Sequence, residues 1–157
     1  MQQVELTNMC MISDWRGYVL VQHRLPKASN PWSGLTFPGG HVESGESITA
    51  SVIREIREET GLVISDISLC GIVQWSNPQN DSQYIVFLFR TNSYTGQLHS
   101  SSEGKMEWMT LNDMCNGKLA PNMEKYLKVF CDKNTLQAFG ISEKSLAVIN
   151  TNGEEIL

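Results

Sequence analysis

The stretch that decides the fold is GGHVESGESITASVIREIREETGL, residues 39–62. Its second half predicts a helix between Ser47, whose hydroxyl suits an N-cap, and Gly61, which suits the position just past a helix end. Apolar side chains recur there at spacings of three and four residues and form one stripe: Ile48, Val52, Ile53 and Ile56. We therefore expect about four turns of helix that pack against a core through this stripe.

A second face of the predicted helix is acidic. Glu55, Glu58 and Glu59 fall at i, i+3 and i+4 and therefore lie side by side. Like charges one turn apart cost roughly 0.2–0.5 kcal/mol, and only Arg54 is placed to pair with Glu58. Carboxylates are hard oxygen ligands that suit Mg²⁺, so we interpret this face as a metal site. A solvated acidic surface is the alternative.

The residues before the helix supply a tight loop. Paired glycines, Gly39 and Gly40, let a ligand approach the main chain, and Glu43 and Glu46 follow. Gly40, five residues, Glu46, seven residues and then REIREETGL resemble the Nudix box, G-x5-E-x7-R-E-U-x-E-E-x-G-U, where U is a bulky aliphatic residue. Every specified position matches. The resemblance covers residues 4–130, and residues 131–157 form a C-terminal extension that adds either a strand or a dimer contact.

The bulk properties restrict the class of protein. A chain of 157 residues predicts one domain over residues 1–157. A net charge of −5 argues against nucleic acid as a partner, because such proteins need basic surface, and it implies that a polyphosphate arrives with metal ions. Neither an 18-residue apolar run nor a secretory signal is found, so we expect no membrane partner and a cytoplasmic location. Four scattered cysteines without a C-x-x-C pair argue against zinc and a disulfide framework.

The rest of the chain predicts an α+β fold. Residues 4–12 and 18–24 read as a strand hairpin across a turn at 14–17. The remaining segments read as strands at 35–37, 62–75 (two strands with a bend near Gly71), 84–90, 106–110 and 146–150, and as helices at 112–116 and 121–132. The run 84–90 is continuously apolar, which favours a central buried strand. The Nudix resemblance implies an α/β/α sandwich with a curved mixed sheet between helices.

The resemblance also implies a chemistry. Nudix hydrolases cleave a diphosphate linkage in a nucleoside diphosphate joined to another group, with Mg²⁺ or alternatively Mn²⁺ as cofactor. Carried to this chain, the metal ligands are Glu55, Glu58, Glu59 and the carbonyl of Gly39. Glu58, Glu55 and Arg54 are catalytic in this reading, with Arg54 orienting a carboxylate. Metal-bound water attacks phosphorus. Glu46 and Gly61 serve the structure of the motif.

Further candidates lie outside the box. Glu103, followed by Gly104 and later by Glu107-Trp108-Met109, resembles a segment of MutT-type 8-oxo-dGTP diphosphatases that supplies a catalytic base or a further metal ligand; an exposed loop residue is the alternative. Asn122, after Ala120-Pro121, resembles their base-reading asparagine, or else only begins a helix. Arg24 resembles a phosphate- or base-contacting arginine, and a surface position is the alternative.

Other residues complete the predicted substrate site. Gly40 and His41 follow the loop, and His41 stands where MutT-type enzymes often carry lysine, so its phosphate contact depends on pH. Trp32, Trp75 and Tyr84 are candidates for stacking on the base or, alternatively, core aromatics.

The sequence leaves three alternative functions. The first is Mg²⁺-dependent hydrolysis of 8-oxo-dGTP or a related (d)NTP to the monophosphate and pyrophosphate. The second is hydrolysis of a nucleotide sugar, ADP-ribose or a dinucleoside polyphosphate. The third is a nucleotide-sensing module without catalysis. The expected partner is a small nucleotide, and a homodimer is an open alternative.

Overall fold

The computed structural model describes residues 1–28 and 31–156. Within them the chain forms eleven strands and three helices. Strands β1 to β11 are, in chain order, Gln3–Ile12, Val19–Arg24, Gly34–Thr36, Gly39–His41, Leu62–Ser65, Ser68–Asn77, Ser82–Thr91, Ser93–Gly96, Gly104–Met109, Thr135–Gly140 and Ala147–Asn150. Helices α1 to α3 are Ile48–Thr60, Leu111–Asn116 and Met123–Cys131.

The largest sheet of the described chain has six strands in the order β11-β10-β6-β7-β1-β4. It is mixed, because β7 runs parallel to β1 and antiparallel to β6. Strand β7 lies inside this sheet with a neighbour on each side, which confirms the prediction of a central strand at 84–90. Two smaller sheets have the orders β3-β2-β9 and β5-β8.

Helices cover both faces of the large sheet, as alternation along β1 shows. Cys10 and Ile12 pack in one cluster with Val52 and Ile56 of α1. Met11, which points to the opposite face, packs in a second cluster with the buried side chains of α3. The predicted α+β class and the helix–sheet–helix layering are therefore confirmed.

The limits of α1 are those that its sequence predicts. The Ser47 hydroxyl accepts a hydrogen bond from the N–H of Ala50, which caps the first turn. Gly61 has φ +80°, and its N–H donates to the carbonyl of Arg57. A residue with a Cβ is strained in this left-handed conformation, so glycine ends the helix at low cost.

The predicted hairpin of residues 4–12 and 18–24 is wrong. β1 and β2 belong to different sheets and meet only at an isolated bridge between Ser13 and Val19. The reason is that both edges of β1 are occupied, one by β7 and the other by β4. Hydrophobic alternation identifies a strand, but it does not identify the partner of that strand.

Two boundaries also differ, and two short strands are new. The break between β5 and β6 falls at residues 66–67, while Gly71 adjoins a register shift inside β6. Helix α3 begins at Met123, because Asn122 has φ +65° and cannot belong to the helix. The short strands β4 and β8 were not predicted.

The C-terminal extension completes the large sheet. Strand β10, which was not predicted, pairs parallel to β6, and β11 pairs antiparallel to β10. Of the two alternatives for residues 131–157, the added strand is confirmed. Residues 29 and 30, between β2 and β3, and residue 157 lie outside the described residues. In the described ranges, no helix is both long and apolar enough to cross a membrane.

Candidate active site

The paired glycines lie on β4, packed between β1 and helix α1. Asn8 and Met9 of β1 are the register partners of Gly40 and Gly39. A Cβ at Gly40 would overlap the carboxylate of Glu55, and one at Gly39 would overlap the carbonyl of Asn8. Gly39 therefore cannot carry a Cβ against the main chain of β1, whereas a Cβ at Gly40 would push aside the flexible end of Glu55. The main chain of the loop lies directly against this acidic side chain of α1.

Asn8 holds this loop to the helix, a role that the sequence analysis did not assign. Its Oδ1 accepts from the N–H of Gly40 at 3.1 Å, and its Nδ2 donates to the Ser51 hydroxyl at 2.9 Å. Asn8 is buried, and a polar side chain inside an apolar strand is the sequence signal that identifies it. Both hydrogen bonds join elements far apart in the chain and fix their separation.

Arg54 is the centre of a hydrogen-bonded group that we call the arginine network: Arg54, Glu46, Glu55, Glu58 and the carbonyl of His41. Its Nε and Nη2 donate to the two oxygens of Glu46 at 2.7 and 2.9 Å. Nη1 donates to Glu55 at 3.0 Å and to Glu58 at 3.1 Å. Nη2 also donates to the His41 carbonyl at 2.9 Å. One guanidinium thus joins the loop to two carboxylates of α1.

The network keeps Glu46 ionised. The hydrogen bonds from Arg54, with a further one from the Glu43 N–H, lower the pKa of Glu46 to about 2. The same contacts raise the pKa of Arg54 above its ordinary value. Glu46 and Arg54 therefore form a permanently charged pair. Glu58 is the exposed member, with 58% of its side chain accessible to solvent.

A second acidic group, the acid pair, consists of Glu59 and Glu103. Glu59 is buried on the last turn of α1, and Gln22 of β2 donates to its Oε2 at 3.4 Å. Glu103 precedes β9 and lies close enough to share a hydrogen bond with Glu59. Burial, together with Glu103, raises the pKa of Glu59 well above its ordinary range. Burial also raises the pKa of Glu55 beside this pair.

Two cations approach the acid pair from the end of β2. Lys27 Nζ lies 2.6 Å from Glu103 Oε1, and Arg24 Nη1 lies 3.7 Å from Glu103 Oε2. The Arg24 guanidinium lies over the ring of Trp32 at 4.4 Å. Among the described residues, the buried Nε of Arg24 has no hydrogen-bond partner. The site therefore offers donors for an anion beside acceptors for a cation.

The other aromatic candidates lie around a cavity of about 630 Å³. Trp75 and Tyr84 stack with their ring centroids 4.3 Å apart, and Glu5 and Glu143 share the lining. Asn122 Nδ2 donates to the carbonyl of Glu143 at 2.6 Å. The C-terminal extension thus contributes to the cavity, which the sequence did not predict.

His41 connects this cavity to the glycine loop. Its Nε2 lies 2.7 Å from Glu5 Oε1, and Glu5 lines the cavity. Tyr84 occupies the register position beside Glu5 on the large sheet. The predicted substrate-contacting residues fall into two places. Arg24 and Trp32 lie beside the acid pair, whereas Trp75 and Tyr84 line the cavity and Asn122 contacts its lining residue Glu143. Gly40 lies against Glu55, and His41 lies against Glu5.

The carboxylate oxygens of the site are suitable ligands for a hard divalent cation. Within the described residues, no three acidic, histidine or cysteine side chains already stand as a metal-ligand cluster. Burial, with neighbouring carboxylates as a smaller cause, raises the pKa of Glu55 and of Glu59, and a bound cation would favour the ionised form of both. Carboxylate oxygens are the ligands that Mg²⁺ and Mn²⁺ prefer, so the residues present fit such an ion.

Comparison with known proteins agrees with this geometry. Residues 6–130 match the family model described as the NUDIX domain. The chain is 46% identical over 88 residues to the uncharacterized Nudix hydrolase YvcI of Bacillus subtilis, covering 54% of this chain and 56% of that protein. It is 36% identical over 108 residues to an ADP-ribose pyrophosphatase of Methanocaldococcus jannaschii, covering 66% and 62%. The match thus spans less than two thirds of either relative.

The fold has solved counterparts as well. The crystal structure of a MutT protein from Bacillus halodurans superposes with a TM-score of 0.69 at 22% identity, covering 98% of this chain and 95% of that one. The C-terminal extension is therefore part of a fold that is already known.

Proposed function

Because this chain belongs to the NUDIX domain family, we propose that it hydrolyses the diphosphate linkage of a nucleoside diphosphate derivative with the help of Mg²⁺ or Mn²⁺. The observation that carries this proposal is the acid pair, a partly buried group of carboxylates packed beside Glu55 and the glycine loop. Nearby Arg24 and Lys27 supply positive charge for phosphate oxygens.

The residues of the site divide the chemical work between them. Glu55, Glu59 and Glu103 would hold the metal ion, with the exposed Glu58 and the Gly39 carbonyl as further ligands. The ion would neutralise charge on the phosphoryl oxygens and activate water for attack. Arg54 fixes the orientation of Glu55 and Glu58, and Arg24 binds and orients the phosphates. As the alternative to binding the metal, Glu103 at the edge of the group would accept the proton of the attacking water.

The first candidate substrate is 8-oxo-dGTP or a related (d)NTP, which would yield the monophosphate and pyrophosphate. The cavity next to the loop supports it, because Trp75 and Tyr84 offer aromatic surface and Glu5 and Glu143 offer acceptors for base N–H groups. Asn122 borders this cavity through its hydrogen bond to Glu143 and keeps its side-chain oxygen as a further acceptor.

The second candidate is ADP-ribose. The relative from M. jannaschii, named ADP-ribose pyrophosphatase, is 36% identical over 66% of this chain. An adenine ring suits the same aromatic surface, and the diphosphate suits the same acidic group. Nucleotide sugars and dinucleoside polyphosphates contain the same linkage.

A panel hydrolysis assay tests the proposal. Purified protein and Mg²⁺ are offered 8-oxo-dGTP, ordinary dNTPs and NTPs, ADP-ribose, nucleotide sugars and dinucleoside polyphosphates, and the products are resolved by chromatography. We expect preferred turnover of 8-oxo-dGTP. Preference for ADP-ribose would retain the metal site and replace the first candidate by the second. If no compound is hydrolysed, the proposed function is wrong, and binding of the same nucleotides would then favour a sensing module.

A further inference from the structure

Lys27 forms an ion pair with a residue of the proposed active site, although neither its position in the sequence nor the family pattern marks it. It follows β2 by three residues, and its Nζ lies 2.6 Å from Glu103 Oε1. The lysine side chain is 39% exposed, while that of Glu103 is 30% exposed. The pair is therefore short, but its cation can still move into solvent.

The pair lies where the negative charge of the site is concentrated. Glu103 is close enough to the buried Glu59 and to Glu55 to raise the pKa of both carboxyls. Arg54, in the middle of α1, is already bonded to Glu46, Glu55 and Glu58. Arg24 reaches Glu103 only at 3.7 Å, which is beyond hydrogen-bond length. Lys27 is thus the cation in direct contact with the acid pair.

A lysine ammonium and a divalent cation on the same carboxylate repel each other, and each reduces the negative charge that the other is attracted to. Metal binding at Glu103 therefore weakens the contact of this carboxylate with the ammonium group of Lys27. The long, flexible stem of lysine allows this group to move away without a change in the main chain. The nearest new anion is then the polyphosphate that the same metal binds.

We propose that Lys27 is an exchanging counter-charge, which holds Glu103 in the metal-free protein and binds a phosphate oxygen of the substrate once metal occupies the acid pair. This inference rests on the proposed function for its substrate class, a metal-bound diphosphate. It makes Lys27 oppose metal binding and favour diphosphate binding. A lysine with a purely structural role has neither effect, and one that only contacts phosphate has the second alone.

The experiment measures both effects by equilibrium binding, with Lys27→Met as the variant. Lys128→Met is the matched control, since Lys128 pairs with Asp132 at 3.2 Å and the two side chains are 41% and 31% exposed. In the first part, Mn²⁺ is titrated into metal-free protein and free Mn²⁺ is followed by electron paramagnetic resonance. We expect Lys27→Met to lower the Kd for Mn²⁺ by about two- to fivefold, the range of a partly exposed ion pair.

In the second part, methylenediphosphonate, a diphosphate analogue that resists hydrolysis, is titrated calorimetrically with Mg²⁺ present. We expect Lys27→Met to raise its Kd by about tenfold, as for a lost charge-assisted hydrogen bond. Lys27→Arg keeps the charge and should stay close to wild type in both parts, and Lys128→Met should change neither.

An unchanged or raised Kd for Mn²⁺ in Lys27→Met overturns the proposal, and so does an unchanged Kd for methylenediphosphonate. Neither titration uses turnover, so the result is separate from that of the hydrolysis panel. A wild-type protein that binds both probes and hydrolyses nothing would refute the proposed function while leaving the exchange by Lys27 supported.

Discussion

Helix α1 places its carboxylates in two different electrostatic environments. In the arginine network, one guanidinium donates to Glu46, Glu55 and Glu58, and the pKa of Glu46 falls to about 2. In the acid pair, Glu59 is buried against another carboxylate, and its pKa rises. Both groups include carboxylates of α1, yet hydrogen bonds from Arg54 favour the ionised form of Glu46 in the first group, and burial disfavours the ionised form of Glu59 in the second. We therefore expect the network to maintain the geometry and to share the proposed metal with the acid pair through Glu55 and Glu58.

The largest effect is expected on turnover, from a substitution of Glu58. This substitution tests whether an exposed member of the network also has a catalytic role. We expect Glu58→Gln to reduce Mg²⁺-dependent turnover by about 10³-fold, because the amide keeps the shape and loses the charge that a metal requires. The melting temperature should hardly change, since the side chain is 58% exposed. Glu124→Gln, on the exposed side of α3, is the control. Near-normal turnover of Glu58→Gln would remove Glu58 from the metal site.

The second prediction breaks the network at its centre. We expect Arg54→Met to lower the free energy of unfolding by about 3 kcal/mol, because three carboxylates lose their common donor and the His41 carbonyl loses its partner. Urea denaturation measures this loss. Arg57→Met, an exposed position on the same helix, should change stability by about 0.5 kcal/mol or less. Equal losses in the two variants would show that the network does not stabilise the fold.

The third prediction is that a substitution in the acid pair raises the free energy of unfolding, whereas the second lowers it. Burial raises the pKa of Glu59, so without metal the folded protein must protonate this carboxyl or hold its charge unpaired. For an acid whose pKa is raised on folding, this cost is absent below the unfolded pKa and grows as the pH rises above it. We therefore expect Glu59→Gln to stabilise the metal-free protein by about 1–2 kcal/mol at pH 8, and by less at pH 5.

Metal supplies the control for this prediction. Mg²⁺ should stabilise the wild type more than Glu59→Gln, since ligand binding to the folded state raises the free energy of unfolding. Urea denaturation with and without Mg²⁺ measures both quantities. If Glu59→Gln is destabilising without metal, the acid pair is a structural hydrogen bond and the contrast between the two groups fails.

The smallest expected effect concerns Glu46. Its pKa is lowered from 4.5 to about 2, so the stability that ionised Glu46 contributes is complete above pH 4.5 and is lost as the pH falls toward 2. We expect the difference in unfolding free energy between wild type and Glu46→Gln to be constant from pH 5 to pH 7 and to shrink below pH 4.5. Denaturant titrations at several pH values test this. A constant difference down to pH 3 would show that its charge is not involved.

Local chemistry explains why the sequence predicts one of these groups better than the other. Arg54, Glu55 and Glu58 lie on one helix, and Glu46 is one short loop away, so spacing alone brings them together. Glu103 reaches Glu59 from 44 positions away, and Lys27 reaches Glu103 from 76 positions away. Their contact depends on how β2 and β9 pair, which hydrophobic patterning does not specify. Asn8 differs, because a polar residue inside an apolar strand is visible in the sequence, although its partners Gly40 and Ser51 are not.

By itself, the sequence determined helix α1, both of its ends, its apolar and acidic faces and the family of the chain, because caps and helical periodicity act over a few residues. Only the tertiary structure decided that β1 and β2 belong to different sheets and that β10 and β11 complete the large sheet. It also decided that Glu59 is buried close to Glu103, which in turn contacts Lys27. These features depend on strand pairing and on desolvation. Both arise only when distant segments pack. The raised pKa of Glu59 is therefore a consequence of the fold and cannot be predicted from any one stretch of the chain.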